Sequence, residues 1–216
     1  MGRKHFTLCK LTLALGTALV IASALPFSAH AEPLSPDGMV RQLFSEVLQS
    51  VKTDKSLRAP GNGKLATLVE SRIMPNVDFG RMMAAVVGPA WRQATPEQQK
   101  RLQDEFKTLL LGTYGDALAQ MDDKVLLVKP LKGSPDDKEV LVRTEMRGGA
   151  DTIQMDYRLE KAADAASGWK IYNLNIMGIW LVETYRSQFA QEISSKGLEG
   201  LIASLSDHNK SRSKKA

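Results

Sequence analysis

Residues 169–189, WKIYNLNIMGIWLVETYRSQF, change their period in the middle. Up to Ile176 apolar and polar side chains alternate (Trp169, Ile171 and then Asn173 on one side, Lys170 and Tyr172 on the other), which is the period of a strand. Beyond Gly178 the apolar residues Val182, Tyr185, Phe189 and then Ile193 recur at helical spacing. A glycine at the joint frees the backbone to turn between the two. A strand running directly into an amphipathic helix, both rich in large apolar residues, calls for a sheet covered by helices.

The preceding sequence supplies the rest of that sheet. KVLLVKP (residues 124–130) is a short apolar run. Val140, Val142 and Met146 alternate with Leu141, Arg143, Glu145 and Arg147. Ile153, Met155, Tyr157 and Leu159 alternate with Gln154, Asp156, Arg158 and Glu160. KGSPDD, RGGA and DAASG between them read as hairpin connections. With 169–176 this predicts four antiparallel strands.

Helices come before and after. Thr95-Pro96-Glu97-Gln98 is a capping-box pattern with proline at the first helical position. Behind it Leu102, Phe106, Leu109, Leu110, Tyr114, Leu118 and Met121 keep to one side of a helix roughly 35 Å long at 1.5 Å per residue. Shorter helices are predicted from Ser35 to about Asp54, around Leu65–Ile73 and around Asp78–Val87, the last closed by Gly88-Pro89. After Gly197 a last short helix carries Leu198, Leu201, Ile202 and Leu205. The class is therefore α+β: a curved four-stranded antiparallel sheet covered by helices, with a cleft between the layers that side chains or a ligand can fill.

Both ends of the chain distort its composition. Arg3, Lys4 and Lys10, the apolar run Leu11–Leu25 and Ala29-His30-Ala31 form the three parts of a secretory signal peptide, which places cleavage after residue 31. The apolar run falls short of the ~20 residues a membrane span needs. Of 216 residues, 185 remain, enough for one domain, assigned to 32–209, with a basic tail at 210–216 expected to fray. Three of the 29 Lys/Arg and none of the 24 Asp/Glu precede residue 32, so the remainder carries only +2. Four more basic residues lie in the last seven positions, which leaves the body at −2. No basic stripe marks the body as a nucleic-acid binder.

Conventional catalytic and metal-binding patterns are also missing. The one cysteine, Cys9, and two of the three histidines, His5 and His30, lie in the signal, and His208 lies near the tail. A Ser-His-Asp triad and a histidine metal site therefore have no residues to build on. GNGKLAT lacks P-loop spacing, and the S-x-x-K matches at Ser167 and Ser211 lack their partner motifs. A buried carboxylate acting as general base is the enzymatic reading left open. Met74, Met82 and Met83 with Phe79 read either as ordinary core or as the wall of a pocket for flexible ligands.

Two stretches carry a family resemblance. FGRMMAAVVGPAWRQATPEQQKRLQDEFKTLLLGTYGDAL (residues 79–118) and the strand-Gly-helix stretch quoted above, with Tyr185, Arg186 and Phe189, resemble the MlaC-type periplasmic phospholipid-binding proteins, the toluene-tolerance auxiliary family. Asn173, Met177 and Trp180 depart from the residues common there (Asp, Glu and Ser).

The resemblance implies a nuclear-transport-factor-like fold whose apolar cavity takes acyl chains, with no enzymatic activity and no cofactor beyond the carried phospholipid. It implies a periplasmic monomer that moves lipid between an outer-membrane lipoprotein complex and an inner-membrane ABC transporter, keeping the outer membrane asymmetric. The residues so nominated for the lipid wall are Phe79, Met82, Met83 and Val86 in the 78–87 helix, and Phe106, Leu109, Leu110 and Tyr114 in the long helix. The strands add Val142, Met146, Ile153, Met155, Tyr157, Ile171 and Ile176, and the following helix adds Val182, Tyr185 and Phe189. The competing readings are an enzyme of the same fold acting on an apolar substrate, and an interaction module with a solid core.

Overall fold

The capping box forms as its sequence requires: Thr95 Oγ1 accepts from Gln98 N at 3.2 Å and Gln98 Oε1 accepts from Thr95 N at 2.9 Å. A computed structural model describes residues 34–59, 63–134, 137–148 and 151–214. The signal segment expected at 1–31 lies outside them.

Among the described residues six α-helices and five strands follow in chain order. Helix α1 (Pro36–Thr53) is capped by Ser35 and buries Met39, Val40, Leu43, Val47 and Val51. Helix α2 (Lys64–Leu68) continues through a π-helical turn, Val69–Ile73, and a 3-10 turn, Met74–Asn76. Helix α3 (Phe79–Val87) starts at the Asp78 cap and stops at Gly88, whose φ of 70° breaks the helical path. Pro89, expected only to close the preceding helix, also opens a short one, α4 (Pro89–Gln93), ahead of the long α5 (Pro96–Ala119).

The strands β1 (Val125–Val128), β2 (Glu139–Gly148), β3 (Asp151–Lys161) and β4 (Trp169–Ile176) make an antiparallel meander in sequence order. A two-residue β5 (Ile179–Trp180) joins it, so the sheet has five strands where four were expected. The chain does not pass straight from β4 into a helix. Met177 and Gly178 both take positive φ, 52° and 88°, and the backbone folds back as a tight hairpin. Asn175 Oδ1 steadies the turn by accepting from Gly178 N at 2.8 Å.

Helix α6 (Leu181–Ser213) then runs to the end of the described chain, kinked at Gly197 (φ 69°) as the glycine foretold. Residues 210–213, expected to fray, are helical. The Arg212 guanidinium donates to Gly112 O, and Asn209 Nδ2 donates to Glu105 O at 2.9 Å, so the second arm of α6 is tied to α5.

The hydrophobic core has two parts. One joins α3, α5 and α6 around Phe106, whose ring meets Tyr185 edge-on at 4.8 Å and Phe189 at 5.5 Å. The other joins α1 to the inner face of the sheet through Val140, Val142, Tyr157, Leu159 and Ile171. Val77 and Leu174 pack against both. Outside the sheet Arg81 of α3 pairs with Glu139 at 2.6 Å and with Glu160, and covers the Tyr172 ring at 3.7 Å, which fastens α3 to the strands.

Candidate functional site

The two cores do not close on each other. Between them lies a cavity of about 470 Å³, bounded by α1, the 69–79 segment, α5 and the inner face of β2–β4. Helix α5 sets its length. From Lys107 to Leu118 the lining positions Leu110, Leu111, Tyr114 and Ala117 follow one flank of the helix, about 17 Å at 1.5 Å per residue. One leaflet of a bilayer is roughly 15 Å deep, half of a ~30 Å hydrocarbon core. An acyl chain therefore fits lengthwise.

Strand alternation supplies the floor. Register pairs Met146 with Ile153, Met155 with Ile176, and Tyr157 with Leu174, so these side chains stand in rows on one face. The opposite wall comes from Val40, Leu43, Phe44 and Val47 of α1 and from Val69, Ile73, Met74 and Val77. The lining is almost wholly aliphatic, aromatic or thioether. Such a space holds water poorly and gains by contact with an apolar guest.

Few polar groups interrupt it. The Tyr157 hydroxyl has Met155 Sδ at 3.9 Å, and burial pushes its phenol up to about 12, with Asp156 adding to the rise and the hydrogen bond with Thr144 opposing it. Burial also raises the Tyr114 phenol. Both are neutral donors at physiological pH. Lys107 approaches from one end, 2.8 Å from Glu70 Oε1 and 3.8 Å from Asp104 Oδ1. Lys124 stands at the other, donating to Gly148 O at 2.6 Å with Asp123 Oδ1 at 3.5 Å. Among the described residues no cluster of His, Cys, Asp or Glu is arranged to hold a metal ion. The arrangement can enclose an elongated apolar molecule and keep one end of it near charge and water.

Ten of the eighteen nominated wall residues meet at this cavity: Phe79, Met82, Leu110, Tyr114, Met146, Ile153, Met155, Tyr157, Ile171 and Ile176. The other eight do not line it. Met83, Val86, Phe106, Leu109, Val182, Tyr185 and Phe189 fill the helical core behind it, and Val142 lies in the core between α1 and the sheet. The Tyr-Arg-x-x-Phe stretch is accordingly structural: Tyr185 and Phe189 enclose Phe106, and Arg186 Nε donates to Ala85 O at 2.7 Å, holding α6 to α3.

The contribution of α1 was missed. Its signal was present as paired apolar positions, Met39/Val40, Leu43/Phe44 and Val47/Leu48, a stripe wide enough to serve two neighbours. Val40, Leu43, Phe44 and Val47 turn part of that stripe to the cavity, whereas Val51 is core alone.

Comparison with known proteins adds three findings. The family model described as MlaC protein matches residues 41–207. The toluene tolerance protein ttg2D of Pseudomonas putida is 27% identical over 181 residues, 83% of this chain and 82% of that protein. A phospholipid-binding protein from Ralstonia solanacearum, whose structure was solved in complex with a phospholipid, superposes with a TM-score of 0.77. It is 39% identical, over 82% of this chain and 97% of that one.

Proposed function

The chain belongs to the MlaC protein family, and from that premise we propose that it is a non-enzymatic periplasmic carrier that encloses the acyl chains of a phospholipid. It takes lipid between an inner-membrane ABC transport complex and an outer-membrane lipoprotein complex, and so maintains the asymmetry of the outer membrane. The observation that carries this reading is the apolar cavity between the two cores. The phospholipid bound in the Ralstonia structure supports it.

Energetics explain why such a carrier is needed. Some 30 acyl CH₂ groups at ~0.8 kcal/mol each cost on the order of 24 kcal/mol to expose to water. Unassisted diffusion across an aqueous compartment is then negligible. The wall formed by Leu43, Phe44 and Val47 of α1, Leu110, Tyr114 and Leu118 of α5, and the Met146, Met155, Ile176 rows of the sheet offers apolar burial of the required kind. The methionines let it adapt to chains of differing length and unsaturation. Any ATP used in transfer is used by the membrane partners.

Native, detergent-free purification from a bacterial host, followed by organic extraction and mass spectrometry, tests the reading. Stoichiometric diacyl phospholipid is the expected result. Consistently empty protein would overturn it.

A further inference from the structure

The two cations of the cavity have different surroundings. Lys107, its side chain 25% exposed, faces two carboxylates, Glu70 and Asp104, and a phosphate arriving there would meet both. Lys124, 19% exposed, has a neutral carbonyl as its hydrogen-bonded partner, Gly148 O at 2.6 Å. Its ion-pair neighbour Asp123 Oδ1 lies 3.5 Å away, against 2.8 Å for Glu70 at Lys107.

Two further acids of this region are engaged elsewhere: Asp122 pairs with Arg58, and Glu145 pairs with Lys129 and with Arg147, both at 2.7 Å. An ammonium group has three N–H donors, and these partners leave Lys124 capacity for another acceptor. Its position is also built in. A Cβ on Gly148 would stand 2.7 Å from Asp123 O, so only glycine lets the carbonyl that holds the ammonium come so close to the 123–124 backbone.

Resting on the carrier reading, we infer that Lys124 binds the phosphodiester of the enclosed lipid, with the acyl chains running from it along α5 toward Lys107. The headgroup beyond the phosphate stays in water and is not selected.

The test is competitive loading of delipidated protein with phosphatidylglycerol, phosphatidylethanolamine, a diacylglycerol of the same chains, and palmitate, read by native mass spectrometry. Wild type should prefer both phospholipids over the diacylglycerol by roughly ten-fold, the ratio about 1.4 kcal/mol produces. Lys124→Gln should abolish that preference and Lys124→Arg should keep it. Retention of the preference in Lys124→Gln, its loss in Lys107→Gln alone, or a stronger preference for palmitate would each overturn the assignment. If wild type binds none of the four, the carrier reading itself fails.

Discussion

Asn173 Oδ1 accepts the backbone N–H of Val182 at 3.2 Å, so a residue of β4 caps the helix that begins after β5. Trp180, at the position preceding α6, offers no side-chain cap of its own. The same oxygen accepts from Leu174 N at 2.9 Å, and Asn173 Nδ2 donates to Glu183 Oε2 at 2.8 Å. At 1% exposure this amide has no access to water, and its removal leaves the buried Val182 N–H without its partner. Asn173→Ala should therefore cost roughly 1–3 kcal/mol, measured by denaturant unfolding. A loss below about 0.5 kcal/mol, the scale of ordinary surface changes, would mean that the cap is dispensable.

The partner in that network gives a pH dependence. Burial pushes the Glu183 carboxyl up, but hydrogen bonds from Asn173 and Arg158 outweigh it and hold the group below its usual value. A carboxylate lowered in the folded state adds stability above its unfolded value, about 4.3 for Glu, and loses it as pH falls through the folded one. Glu183→Gln should thus be less stable than wild type at pH 7, with the gap closing below about pH 4. The side chain is 47% exposed, so the gap is a fraction of a kcal/mol. A gap that stays constant down to pH 3 would contradict the assignment.

Two leucines on one helix distinguish core from cavity. Leu102 is fully buried in the helical core, and Leu102→Ala should cost roughly 2–5 kcal/mol with or without lipid. Leu110 lines the cavity. Leu110→Ala should cost clearly less in delipidated protein and more in loaded protein, because bound ligand stabilises only the folded state. Equal losses for Leu110→Ala in both forms would place it in packed core.

Filling the cavity should separate stability from binding. Leu118→Trp projects a large apolar group into space already present, so the empty protein should avoid the ~1–3 kcal/mol penalty of overpacking a closed core. Co-purified lipid should fall several-fold. Full lipid occupancy with unchanged stability would show that the acyl chains lie elsewhere.

Tyr157 offers an optical readout. Its phenol, raised to about 12 by burial, should ionise well after an exposed tyrosine at about 10. A raised value means that the folded state keeps its proton longer, so this contribution is intact below about pH 10 and is lost as pH rises from there toward 12. Absorbance titration of Tyr157→Phe against wild type isolates the late step. Its absence would put the hydroxyl in contact with water.

Much of the fold follows from local patterns. The capping box at Thr95, the strand alternation through 140–159 and the glycine breaks at 88 and 197 reflect short-range sterics and hydrogen bonding, and each element stands where these patterns put it. Local pattern failed at Met177-Gly178, because a methionine in a positive-φ hairpin position is not a recognisable turn signal.

Periodicity identified the apolar side of α5, and tertiary structure divided it. Phe106 and Leu109 meet α3 and α6, while Leu110 and Tyr114, one turn on, face the cavity. Packing in a core and contact with an apolar guest both favour apolar side chains for the same reason, removal of apolar surface from water, so the sequence records the two sets alike. Whether a buried apolar side chain meets packed neighbours or an open cavity depends on where the other layer stands, and the helices and sheet fix that only when they assemble.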